Sequence, residues 1–140
     1  MNLEQKVNYL RKFETGKLIK QLEQREDELE KVLQEQLVFS KANFMHVSSR
    51  GSDSALVKEI LAELSTQIPE EHDKKVADRD AWLMRQRKEN KELAEAITKQ
   101  REAEFVMEDF QIRAEMAKKR LEGIKGIIGL RTAQINFLAE

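Results

Sequence analysis

Lys118, Lys119, Arg120 and Lys125 gather in one short stretch, with Arg131 shortly beyond. Carried on a helix, these cations could neutralise phosphate charge, and such contacts weaken steeply as salt rises because bound counterions are released. The same residues serve equally well as the solvated flanks of a coiled coil. Lys118, Lys119, Arg120 and Lys125 are therefore the candidate phosphate contacts. Arg131 differs because it falls on the apolar seam described below, where a charge must snorkel, pair with an acid or set register.

Metal and acid-base chemistry have less to stand on. Glu70-Glu71-His72-Asp73 holds ligand-type side chains, but neighbours along a helix point in different directions and do not surround an ion. His46 and His72, the two histidines, lie in separate segments. Most carboxylates have a Lys or Arg at helical spacing, as a solvated face requires. No His-Glu-x-x-His, nucleophile elbow or Gly-rich nucleotide fingerprint occurs. The Glu-x-x-His pairs of carboxylate-bridged metal bundles are missing too. Cys is absent, which removes disulfides, thiolate metal sites and Cys nucleophiles and suits a reducing compartment. The expectation is a non-enzyme without metal or cofactor.

Gly123, Gly126 and Gly129 recur every third residue inside a helical pattern. A phosphate-cradling loop would need a strand before it and a Gly-Lys-Ser/Thr ending, and neither is present. Three interior glycines cost about 2–3 kcal/mol of helix propensity relative to Ala. Together with Ala133 they form a small-residue strip opposite the seam, against which a second helix could pack closely. A local break or hinge is the competing reading.

The elements that carry these residues follow from apolar spacing. An unbroken 4-3 alternation runs from Leu93 through Ala96, Gln100, Ala103, Met107, Phe110, Ala114, Ala117, Leu121, Ile124, Ile128, Arg131 and Ile135 to Leu138. Such a run asks for partner helices. Its first half is mostly polar or small and its second half far more apolar, so association is expected in residues 105–138. The expected oligomer interface comprises Phe110, Leu121, Ile124, Ile128, Arg131, Ile135 and Leu138, with Gly123, Gly126 and Gly129 behind them. Asn90 and Arg131 are candidates for setting register.

Upstream, Leu3, Val7 and Leu10 and then Leu18, Leu22, Leu29, Val32 and Phe39 repeat at helical spacing, with Arg25 and Gln36 between them. Gly16 marks a candidate bend. Ser48 to Ser54 supplies a turn, and Ser52 or Asp53 a helix cap. Ala55 to Gln67 reads as a short amphipathic helix carrying Leu56, Ile60, Leu61 and Leu64. Pro69 should end it and begin the next. Trp82 is expected to pack rather than to bind. The chain is thus expected to form a single helical domain over 1–140: a long helix 1–47, a turn 48–54, a short helix 55–67 and a long return helix 70–139. Candidate breaks in the last lie near 105 and 123–129.

With 36% charged residues, a net charge of -1 and one Pro, the composition is that of long helices rather than of a nucleic-acid or membrane binder. No stretch approaches the roughly 18–20 apolar residues of a membrane span, and the N-terminus lacks a signal-peptide core. A soluble, cytoplasmic protein is expected.

The fold expected is all-α: an elongated antiparallel helical hairpin or coiled-coil bundle, with a short extra helix near the turn, that self-associates. The expected function is a non-enzymatic homo-oligomeric scaffold or adaptor, working by coiled-coil pairing with its own copies and with another protein. The alternative is an accessory nucleic-acid-binding protein whose oligomer aligns the C-terminal cations. A peripheral membrane contact through Gly126-Ile127-Ile128-Gly129-Leu130 is a third, weaker reading. Shape alone does not identify function.

Overall fold

The computed structural model describes residues 1–9, 15–49 and 51–139. Among these the regular structure is entirely helical: α1 (Leu3–Tyr9), α2 (Thr15–Ala42), α3 (Ala55–Ser65), one 3-10 turn (Glu70–His72), α4 (Val76–Glu89) and α5 (Lys91–Ala139). Leu10, of the first apolar repeat, and Arg50, within the expected turn 48–54, lie outside the described residues. The long C-terminal helix packs against the others. The chain divides into two compact units, Met1–Glu35 with Phe110–Glu140, and Gln36–Asp109.

The Gln36–Asp109 unit has its core where α3 meets α5. Val57, Ile60 and Leu64 form one stripe of α3, and they pack with Leu93 and Ala96. Leu56, Leu61, Ile97 and the α4 residues Trp82 and Leu83 close around that cluster. Trp82 is half-buried there, so its role is packing. The α3 helix starts where it does because Ser54 holds an extended backbone and its hydroxyl accepts the Val57 N–H at 3.3 Å. Ser54, rather than Ser52 or Asp53, is the cap. Gly51 adopts a φ of +80°, a left-handed conformation that glycine takes without a Cβ penalty, and this lets the chain reverse ahead of α3.

The stretch from 70 to 89 departs from the expected continuous helix. Pro69 is followed by a single 3-10 turn, and α4 begins only at Val76. The Arg79 guanidinium pairs with Asp73 at 3.0 Å across that entry. A second interruption falls at Asn90, away from both expected break points. Its extended backbone ends α4, its N–H donating to the Gln86 carbonyl at 2.8 Å. Its side-chain Oδ1 then accepts the Leu93 N–H at 3.0 Å, capping α5. Asn90 therefore has a capping role inside the chain. From Lys91 the helix continues through 105 and through all three glycines.

In the other unit, Val7, Phe110, Ala117 and Ile135 are buried. The α2 residues Leu18, Leu22, Arg25, Leu29 and Val32 are half-buried. Ion pairs join Glu35 to Arg113 at 3.7 Å and Glu28 to Arg120. As the number rises on α2 it falls on α5, so within this unit the two segments run antiparallel. Gly16 sits in the first turn of α2, where a missing side chain costs little.

Candidate functional site

The 4-3 run marks the inward face of α5. Leu93, Ala96, Ala103, Phe110, Ala117 and Ile135 are buried, and Gln100, Met107, Ala114, Leu121, Ile124, Ile128 and Arg131 are half-buried. Leu138, at the end of the run, is 41% exposed. The chain's own helices cover much of this seam. Among the expected interface residues, Phe110, Leu121, Ile124, Ile128, Arg131 and Ile135 thus face inward, whereas Gly123, Gly126 and Gly129 face solvent. A Cβ built on any of these glycines meets nothing within 4 Å. Within the described chain, no neighbour makes use of their small size.

On the outward face of α5 in the unit that joins Met1–Glu35 with Phe110–Glu140, large apolar side chains remain in solvent. Ile112 is 57% exposed, Met116 48%, Ile127 50%, Leu130 63% and Phe137 78%. Scattered single exposures are ordinary on any protein, but these five share one side of the helix in two groups, one at Ile112 and Met116 and one from Ile127 to Phe137. This line escapes a search restricted to the strongest period, because its members stand off the seam and are interrupted by Lys119 and the glycines.

The candidate phosphate contacts are all exposed, but they do not form one patch. At about 100° per residue, Lys118, Lys119 and Arg120 point to three sides of the helix, and only Lys118 and Lys125, two turns apart, share a side. Arg120 is committed to Glu28. Glu28 is also bound by Arg25 at 3.0 Å. The Arg25 hydrogen bond, outweighing the opposing effect of desolvation, and then the Arg120 charge hold the Glu28 carboxyl below the usual carboxylate range. Arg113 lies over the Phe110 ring, 4.7 Å from its centroid, so its charge also covers the buried seam.

In the Gln36–Asp109 unit the polar seam residue Gln100 holds the chain's own loop. Its Oε1 accepts the N–H of Ser54 at 2.8 Å, and its Nε2 donates to the Ser52 carbonyl at 3.4 Å and to Glu104 at 3.0 Å. Ser48 donates to the same Glu104 oxygen at 3.0 Å. Asp53 accepts two bonds from the Arg87 guanidinium, at 3.3 and 2.9 Å, tying the loop to α4. Sequence reasoning placed Gln100 on a seam facing a partner; only its polarity at an apolar position signalled a different job.

Hollows open among the described residues. One, of about 360 Å³, is lined by Phe39, Asn43, His46, Lys99, Glu102, Ala103 and Val106. The His46 Nδ1 is buried without a hydrogen-bond partner. Another, of about 260 Å³, lies at the end of α5 among Arg131, Gln134, Ile135, Phe137 and Leu138. His72 lies 3.8 Å from Glu71, and among the described residues no group of three or more His, Asp or Glu gathers as a metal ion would need. Among the same residues no helix is long and apolar enough to cross a membrane. No protein-family model, curated protein or solved structure matches the chain.

Proposed function

We propose that this protein is a non-enzymatic, self-associating helical scaffold or adaptor, a coiled-coil hairpin in type, that works by packing helices against its own copies and another protein. The observation that carries the reading is the outward apolar line of α5. Ile112, Met116, Ile127, Leu130 and Phe137 stand in solvent on the side away from a seam that is already turned inward. Exposed apolar surface of this extent is costly in a monomer and is removed from water by a partner helix. The seam then makes the hairpin, and the outward face makes the assembly.

Phosphate contact by the C-terminal cations has weaker support, because they are distributed around the helix and Arg120 is already paired. The test compares two substitutions by light-scattering mass and circular dichroism. Leu130→Asp, on the outward face, should lower the mass of the assembly while leaving helix content intact. Ile128→Asp, on the inward face, should lower helix content. Equal loss of helix content in both, or no change of mass with Leu130→Asp, overturns the assignment of association to the outward face.

A further inference from the structure

We propose that the outward line of α5 from Ile112 to Phe137 is a two-fold docking face that receives the same line of a second copy, running antiparallel, with Gly123 and Gly126 at the crossing. This rests on the self-associating reading above and adds the face, the partner and the geometry. Ile112 and Met116 lie toward one end of the line, Leu130 and Phe137 toward the other, and the two glycines stand at its middle. Steps of three and four keep all of them on one side of the helix.

Apart from Ile127, which falls beside Glu122 of the other copy, the line matches itself under a two-fold rotation, which is what an isologous contact requires. With the axis passing between Ile124 and Lys125, Gly123 of one copy faces Gly126 of the other, so the helices approach most closely where neither carries a side chain. Met116 then meets Ala133, a large residue against a small one, and Ile112 meets Phe137 at each end. Lys119, the one charged residue in the line, falls opposite Leu130. Its methylene stem can cover the leucine while its ammonium reaches water. Parallel pairing would instead set Lys119 against its own copy.

Area and the glycines favour the same occupant. With Ile112, Met116, Ile127, Leu130 and Phe137 exposed by 57, 48, 50, 63 and 78%, about 200 Å² for a fully exposed Phe and about 150 Å² for each smaller aliphatic side chain, the line offers on the order of 500 Å². That is toward the upper end of what monomers leave uncovered. It approaches the roughly 800 Å² per partner of a stable dimer, with the glycines and Ala133 adding to it. Among the described residues, nothing beyond the helix's own adjoining turns comes within 4 Å of a Cβ at Gly123 or Gly126. The loss of helix propensity at those positions is matched by no contact among the described residues.

The experiment uses the full chain. Gly123→Gln with Gly126→Gln improves helix propensity but fills the crossing, so sedimentation equilibrium should show the dimer Kd raised by about tenfold or more, with circular dichroism unchanged or more helical. Lys125→Gln, off the line, should leave Kd unaltered. Because the chain has no Cys, Met116→Cys with Ala133→Cys should give a disulfide-linked dimer on mild oxidation, and either substitution alone should not. An oligomer whose Kd ignores the glycine substitutions, or crosslinking by the single variants, overturns this face or its direction while leaving self-association standing. A monomer at every concentration overturns both, and leaves the face to a protein of different sequence.

Discussion

Replacing Gln100 by Leu separates two accounts of a polar residue on an apolar seam. If Gln100 weakens a seam meant for another chain, Leu should stabilise the protein. The geometry predicts the reverse. Gln100 accepts the N–H of Ser54 at 2.8 Å, and Ser54 is only 1% exposed, so water has little room to replace the lost acceptor. A buried N–H left unpaired costs about 1–3 kcal/mol. The half-buried site returns at most about 1 kcal/mol through added apolar contact. Taking the middle of that cost, about 2 kcal/mol, the net expectation is a loss of about 1–2 kcal/mol, and Gln100→Ala, without the apolar return, should lose more. At about 4–8 °C per kcal/mol for a cooperative unit of this size, the midpoint should fall by about 4–16 °C. Trp82 is the sole Trp and packs on the core of this unit, so its fluorescence during urea and thermal unfolding reads the effect locally. Faster hydrogen exchange at the Ser54 amide should accompany the loss. A Leu variant as stable as the parent, with the Ser54 amide still protected, would refute the reasoning.

Three further outcomes follow from the same structure. Leu93 is fully buried among Val57, Ile60 and Leu64, so Leu93→Ala should cost about 2–5 kcal/mol, again read by Trp82 fluorescence. Asn90→Ala removes the Oδ1 that accepts the Leu93 N–H and should cost about 1 kcal/mol, measured by urea unfolding, whereas Asn90→Asp should cost little. Arg25 and Arg120 lower the Glu28 carboxyl in the folded chain. Protons therefore bind it more readily once unfolded, and its contribution is complete above the unfolded value and lost as pH falls through the lower folded one. Glu28→Gln should accordingly flatten the loss of stability between about pH 5 and the folded value, followed by urea midpoints across that range.

Much of α5 was legible in the spacing of its residues. Period alone places Leu93, Ala96, Ala103, Phe110, Ala117 and Ile135 on the seam, and they are the buried residues of that helix among those described. Period marks a face but carries no information on what covers it. Here the covering elements belong in part to the same chain, as the Glu28–Arg120 and Glu35–Arg113 pairs record. The interruption at Asn90 was hidden because no Gly or Pro accompanies it, and the residues on either side keep helical charge and apolar spacing. Only a side chain able to cap, set before Leu93, hinted at it. The docking of the Ser48–Ser54 loop on Gln100 and Glu104 joins residues far apart in the chain, and local patterns cannot report such contacts. The glycines are visible in the sequence as a strip, but that they face solvent required coordinates.

The most direct measurement is the light-scattering mass of the purified chain across a concentration series in the micromolar range. The self-associating scaffold described here predicts a mass that rises to a whole-number multiple of 16.4 kDa. A mass that stays at 16.4 kDa throughout would contradict it.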